Sequence, residues 1–218
     1  MKSLSIQNPA FLAIKSASAT FEDDYTTNTG WTQVGTLLDV DNIVADKVGA
    51  TAVTSDAERV SKSLGVTLSN TLWYAEFELN VVSQSTDAEL LPFLLAAGTA
   101  APASSTQDYC GFDVYELSVI PRFRVHARNG STNTYGTAIN GVYNTLYYFR
   151  LTRTSATNLT LSIFTDSART THLSGSPQSV TIDSTVDTLT TLIHSGWVAG
   201  RTSNFSLDTT RVYNNASP

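Results

Sequence analysis

A single cysteine in 218 residues rules out any intrachain disulfide. Extracellular β domains of this size often carry one, so the lone Cys110 points to folding in a reducing cytoplasm, with its side chain a small buried hydrophobe. Basic residues are also scarce: Lys and Arg number 13 against 19 Asp and Glu, a formal net charge of −6. That lacks the basic footprint of a nucleic-acid binder, and no nucleic-acid partner is expected. No apolar run approaches the ~18 residues needed to cross a bilayer, so no membrane insertion is expected. There is one methionine, charged residues make up only 15%, and no long Glu/Lys-rich face appears. Long amphipathic helices are therefore excluded.

What the chain has instead is threonine and serine, 32 and 25 of them, with 41% hydrophobic residues. Threonine's branched Cβ suits a pleated, half-buried surface, and the hydrophobic share is enough for a globular core. The opening MKSLSIQNPAFLAIKSASATFEDD mimics parts of a signal peptide. Its apolar stretch is short and broken by Asn8, Pro9 and Lys15, so no cleaved signal is expected. Residues 1–20 read as an arm, held like the polar tail by neighbours in an ordered assembly, and 21–218 as one domain.

Short apolar or alternating runs recur at 32–38, 51–54, 58–66, 72–82, 91–97, 111–119, 122–127, 146–153, 159–165, 179–182, 188–194 and 205–213. A dozen strands with no helical periodicity between them indicate a sandwich or barrel. Residues 98–108, rich in Ala, Ser and Thr, read as a long exposed loop. In LWYAEFELNV, Trp73, Ala75, Phe77, Leu79 and Val81 share one face, and Tyr74, Glu76, Glu78 and Asn80 the other. In PRFRVHAR, Phe123, Val125 and Ala127 point one way and Arg122, Arg124, His126 and Arg128 the other. In LYYFRLTRTSATNLTLSIFT, Tyr147, Phe149 and Leu151 belong with Leu159, Leu161 and Ile163 on the core side of a hairpin.

The order of FEDDYTTNTGWTQVG, SNTLWYAEFELNVVS, LYYFRLTRTSATNLTLSIFTD and NFSLDTTRVYNNAS resembles the concanavalin A-like lectin/glucanase family, in its laminin-G-like branch. The likeness runs over residues 20–215. It implies an all-β jelly-roll sandwich of two antiparallel sheets, often used for sugar binding or adhesion.

Glu76 and Glu78 lie about 6.5–7 Å apart along one strand face, close to the spacing of glycosidase carboxylate pairs. The family's glucanases resemble Glu-x-Asp-x-Glu, which AEFELN lacks, so a solvated strand face is favoured and no catalytic residue is assigned. The stripe of Arg122, Arg124, His126 and Arg128 suits an acidic sugar or an acidic neighbour. It equally suits cross-strand pairing with Glu76, Glu78 or Glu116. Asp39, Asp41 and Asn42, like Glu22, Asp23 and Asp24, offer the oxygen ligands calcium prefers, although Asp and Asn also populate turns. His126, His172 and His194 show no zinc spacing, and no other cofactor is expected. Tyr74, Tyr115, Tyr135, Tyr143, Tyr148 and Trp197 are candidate platforms for a sugar ring.

Three functions compete on this fold. One is a non-catalytic structural protein on an assembly surface, such as a virion decoration, head-fibre or tail-associated protein contacting copies of itself or other structural proteins. The others are a free carbohydrate-binding module and a glycan-cleaving enzyme. The first is favoured, with glycan adhesion possible and a virion-surface or extracellular location after assembly.

Overall fold

The computed structural model describes residues 18–41, 45, 47–53, 57–197 and 201–218. The arm expected at 1–20 falls almost wholly outside the described residues, as does Asn42. In chain order the strands begin with Phe21–Asp23 (β1), Thr32–Val34 (β2), Leu38–Val40 (β3), Val48–Val53 (β4) and Arg59–Ser63 (β5). Next come Trp73–Gln84 (β6), Glu89–Ala96 (β7), Tyr109–Leu117 (β8), Ile120–Asn129 (β9), Thr132–Tyr135 (β10) and Ile139–Asn140 (β11). Leu146–Ser155 (β12), Asn158–Phe164 (β13), Gln178–Thr181 (β14), Thr191–Gly196 (β15) and Ser203–Asn214 (β16) complete the set.

They form two eight-stranded antiparallel sheets. Sheet A runs β14-β13-β12-β6-β16-β4-β3, with β1 also on β16; sheet B runs β10-β9-β8-β7-β15-β5-β2, with β11 also on β9. The fold is an all-β jelly-roll sandwich: the strand pattern had implied a sandwich or barrel, and the family resemblance the jelly roll. Sequence neighbours often sit in different sheets, so most contacts close long loops.

The core is where the alternation put it. Trp73, Ala75, Phe77, Leu79 and Val81 of β6 are all buried, as are Phe123, Val125 and Ala127 of β9. Phe77 and Phe149 from sheet A meet Phe93 and Phe112 from sheet B in a stack, with centroids 4.2 Å apart for Phe77–Phe93 and 5.0 Å for Phe112–Phe149. Such offset aromatic pairs add to the area they bury, so truncating one to alanine costs about 3–5 kcal/mol. The hairpin of β12 and β13 pairs Phe149 with Ile163 and Leu151 with Leu161. Leu159 faces Arg153 rather than an apolar partner. Arg153 is fully buried and survives there because it donates to the carbonyls of Val186, Ala156 and Ser155. Cys110 is buried in the core, and desolvation pushes its thiol up to about 12. It is an inert apolar filler.

β1, β10 and β11 lacked a sequence signal, and the run at 32–38 holds β2 of sheet B and only the first residue of β3 of sheet A. β10 (TNTY) and β11 are short and carry no alternating apolar residues, which is why they read as loop. The segment 98–108 is a loop, exposed at Thr99, Ala100, Ser104 and Thr106 but anchored at its middle. Pro102 is buried, and Arg128 holds the carbonyls of Pro102 and Ala103 while Asp108 accepts the Gly130 N–H. The loop therefore lies against the outer face of sheet B.

Candidate functional site

The residues nominated from sequence fall on two opposite surfaces. Tyr74, Glu76 and Glu78 from β6 and Tyr148 from β12 gather on the outer face of sheet A. Arg122, Arg124, His126 and Arg128 from β9 line the outer face of sheet B, where Trp197 packs on His126 with centroids 5.2 Å apart. Stacked sheets lie about 10 Å apart, so these are two surfaces and not one site.

On sheet B the cross-strand register builds rows. Glu89, Tyr115 and Arg122 stand side by side on β7, β8 and β9, and Asp113 stands beside Arg124. Arg124 Nε donates to Asp113 Oδ1 and Oδ2 at 2.9 and 2.8 Å, and its Nη2 reaches Glu89 Oε1 at 3.1 Å. Tyr115 and Tyr135 cover the guanidinium, with ring centroids 4.5 and 4.0 Å from Arg124 Cζ. Pairing of the stripe with Glu76, Glu78 or Glu116 does not occur. Glu76 and Glu78 belong to the other sheet, and Glu116 accepts the N–H groups of Asp87 and Val119.

Deeper on the same face, His126 is fully buried and Tyr109 Oη lies 2.9 Å from its Nε2. Burial drives the imidazole down to about 3, so it is neutral at physiological pH. His126 Nδ1 has no hydrogen-bond partner among the described residues, and Asp113 Oδ2 stands 3.6 Å from it. Burial, then the hydrogen-bonded Glu89, raise the Asp113 carboxyl well above the usual carboxylate range, and Arg124 opposes them only in part. Leu91, Leu94, Ala96, Tyr109 and Ile193 form a small apolar cluster under Trp197. Gly111, opposite both His126 and Leu94, keeps this layer thin: a Cβ there would sit 2.3 Å from the Phe93 carbonyl and 2.5 Å from a Leu94 methyl.

Glu89, Asp113 and His126 place one ligand atom each within 4.8 Å of one another, alone among the described residues in doing so. The Arg124 guanidinium already bonds both carboxylates and fills the role a cation would have, so this trio does not fit a metal. The calcium candidates are engaged elsewhere. Asp23 takes Lys62 Nζ at 2.6 Å, Glu22 takes Arg211 Nε at 2.7 Å and Asp24 caps Thr26. Asp39 Oδ1 accepts the Val40 N–H, and Asp41 has φ of 64° in a turn. Asn42 lies outside the described residues.

On sheet A, Arg150 Nε and Nη2 both donate to Glu76 Oε1, at 2.9 and 2.7 Å. Arg169 Nε approaches the same oxygen at 3.8 Å. Tyr74 and Tyr213 stack at 4.3 Å, 10° from parallel, which leaves Tyr74 buried rather than presented. Burial and Asp208 raise the Glu78 carboxyl. Of the six aromatic candidates only Tyr135, at 39%, is exposed; Tyr115, Tyr143, Tyr148 and Trp197 are half-buried.

Sequence reasoning missed Asp113, Glu89 and Tyr109. A signal was present: in YCGFDVYEL, Tyr109, Asp113 and Tyr115 alternate with Cys110, Phe112 and Val114. An acid on an otherwise apolar strand, two residues from a tyrosine, matches the polar face of the arginine strand.

No family model matches the chain, and no curated protein does. Among solved structures it is similar to the legume lectin-like domain from Entamoeba histolytica, with TM-score 0.58, 11% identity, and coverage of 92% of this chain and 100% of that one. It is similar to a carbohydrate esterase of the Shiga toxin-encoding bacteriophage phi24B, at TM-score 0.59 and 10% identity, covering 92% and 100%. It is also similar to the xyloglucan PUL GH43B protein of Bacteroides ovatus, at TM-score 0.58 and 10% identity, covering 98% of this chain. The chain spans only 41% of the length of that last protein. At these identities the likeness establishes the lectin-like jelly-roll fold and nothing finer.

Proposed function

We propose that this chain is a non-catalytic carbohydrate-binding module of the concanavalin A-like type, which contacts glycan through the outer face of sheet B around Arg124. The observation that carries this reading is the half-exposed set of Tyr115, Tyr135, Arg124 and Glu89. It sets two tyrosine rings, packed on the Arg124 guanidinium, beside fixed polar groups that can meet hydroxyls. The lectin-like domain of Entamoeba histolytica shares the fold, which supports the reading by analogy alone. A hydrolytic role is disfavoured because Asp113 is wholly buried under Arg124 and Glu76 is bound by Arg150. Neither carboxylate is placed to meet a glycosidic oxygen. Glycan-array binding by the wild-type chain, reduced at least tenfold by Tyr135→Ala in a variant shown to be folded by circular dichroism, is the expected result. Undiminished binding by that variant would move the site elsewhere.

The setting we propose is the surface of an assembly, as a virion decoration, head-fibre or tail-associated protein touching copies of itself or other structural proteins. Apolar side chains left open to solvent favour it: Val119 is 81% exposed and Val142 62%. The phage esterase with this fold shows only that such a sandwich occurs in a phage protein. Co-purification with particles, or a defined oligomer on size-exclusion chromatography, is expected. A strict monomer that associates with nothing would overturn the assembly reading and leave glycan binding intact.

A further inference from the structure

We infer that one end of the sandwich, built around the β8–β9 turn, is where two copies of this chain meet. The inference rests on the assembly reading above and names its surface and its partner. Leu117 pairs with Ile120, so Ser118 and Val119 form a two-residue hairpin loop, and both are left-handed, with φ of 58° and 62°. Asn-Gly satisfies that geometry without cost, whereas a β-branched residue there is strained. Packing within the chain does not account for the valine, because it is 81% exposed. The turn is held by Glu116, which is buried. Its carboxylate accepts the N–H groups of Val119 and of Asp87, itself left-handed at φ of 58°. One buried acid thus fixes an apolar tip and a charged neighbour in a single arrangement before any partner arrives.

The tip continues into a wider apolar band. The 141–145 loop runs beside it: Gly141 donates to the Pro121 carbonyl, just past the turn, and Asn144 to the Val81 carbonyl of β6. This loop carries the open side chain of Val142 and leads from sheet B to Leu146 and Val82 on the outer face of sheet A, both exposed. With Leu117 and Val119 they cross one end of the sandwich, and an apolar surface of this kind marks a contact. Its rim carries both signs of charge. Asp87 and Arg201 are 66% and 46% exposed and only loosely paired, at 3.9 Å. An anionic bilayer asks instead for clustered lysines and arginines. Two-fold pairing of the band with itself buries the valines and leucines and can set Asp87 of each copy against Arg201 of the other. The end is complementary to itself, and that makes the occupant a second copy.

The test is sedimentation velocity of the full chain over about 1–200 μM, a range that spans weak self-association. The wild type is expected to pass from monomer to dimer across it. Val119→Gly is expected to weaken the dimer at least about tenfold while holding or raising the melting temperature of the dilute monomer, a split that a residue kept for folding would not give. Asp87→Arg is expected to weaken the dimer by about as much, and Asp87→Arg combined with Arg201→Asp to restore most of the loss. Circular dichroism establishes that each variant is folded. A dimer indifferent to both Val119→Gly and Asp87→Arg would place the contact elsewhere and overturn this inference, leaving the assembly reading standing. A monomer that still co-purifies with particles would do the same. Binding of a monomeric chain to phosphatidylserine-containing vesicles, lost in Val119→Gly, would give this end to a bilayer and overturn the inference too. A monomer that associates with nothing would overturn both readings.

Discussion

Each outer face of the sandwich carries an arginine clamped to a carboxylate beneath aromatic rings, but the two clamps sit at different depths. On sheet A, Glu76 is 13% exposed, Arg150 is 26% exposed, and the nearest rings, Phe164 and Tyr74, stand 5.6 and 6.0 Å from the guanidinium. On sheet B, Asp113 is wholly buried, and Tyr115 and Tyr135 close on Arg124 at 4.5 and 4.0 Å. The extra methylene of glutamate lifts its carboxylate toward water, whereas the short aspartate holds its own at the level of the sheet. Tyr115 and, from β10, Tyr135 then cover the sheet B clamp. The two arginines are about equally open, 22% for Arg124 and 26% for Arg150, so what separates the clamps is the acid: wholly buried on sheet B and partly solvated on sheet A.

The largest effect that would break this comparison is loss of the buried partner. Arg124→Ala leaves Asp113 without its cation and is expected to cost about 3–5 kcal/mol. For a chain of this length that is a fall in melting temperature of roughly 10 °C. Arg150→Ala removes a half-exposed brace and is expected to cost about 1 kcal/mol or less. Equal losses in thermal denaturation would show that depth is not what separates the faces.

Acid should find the sheet B side next. His126 and His194, both on its strands, are held at about 3 and about 4 against an ordinary 6.5, chiefly by burial. The unfolded chain therefore takes up protons near pH 6.5 that the folded chain refuses. Stability is whole above about 6.5 and falls as pH drops toward the two folded values, by about 2–3 kcal/mol in all by pH 5.5. His126→Asn is expected to shrink the loss between pH 7.5 and 5.5 by about half. A melting temperature flat across that range in the wild type would remove the histidines from the argument.

A smaller step separates the faces by packing. Gly111→Ala would drive a methyl into the Phe93 carbonyl and Leu94, and is expected to cost about 1–3 kcal/mol by chemical denaturation. Unchanged stability would show that the layer beneath His126 yields more easily than its contacts imply.

How much of this could be read from the chain differs between its parts. Strands with clean period-two alternation, such as 73–81 and 122–127, announced both their existence and their core face, because one residue in two must meet the opposite sheet. The hairpin at 146–164 did so as well. β10 and β11 were silent because an edge strand of polar residues buries too little to leave a pattern. The site was legible only by halves. Arg124 and His126 were visible as a polar stripe, but their partners Asp113 and Glu89 lie 11 and 35 residues away, and only the register of β7, β8 and β9 brings them together. Alternation tells which side of its own strand a residue takes but not which sheet the strand joins, so Glu76 and Glu78 of sheet A, with Glu116, stood as partners for the sheet B arginines, while the true partner Asp113 lay on the neighbouring strand β8.

The smallest expected effect marks the shallow limit of the comparison. Arg211 Nε meets Glu22 Oε1 at 2.7 Å on the outer side of sheet A, a distance as short as any in the buried clamp. Both side chains are open, 40% and 52% exposed, so water and salt compete for each group. Ordering two long side chains offsets what the short contact gains. Arg211→Ala is therefore expected to change stability by less than about 0.5 kcal/mol in chemical denaturation, and less still at high salt. A loss approaching that of Arg124→Ala would mean that contact distance, and not burial, ranks the ion pairs of this protein.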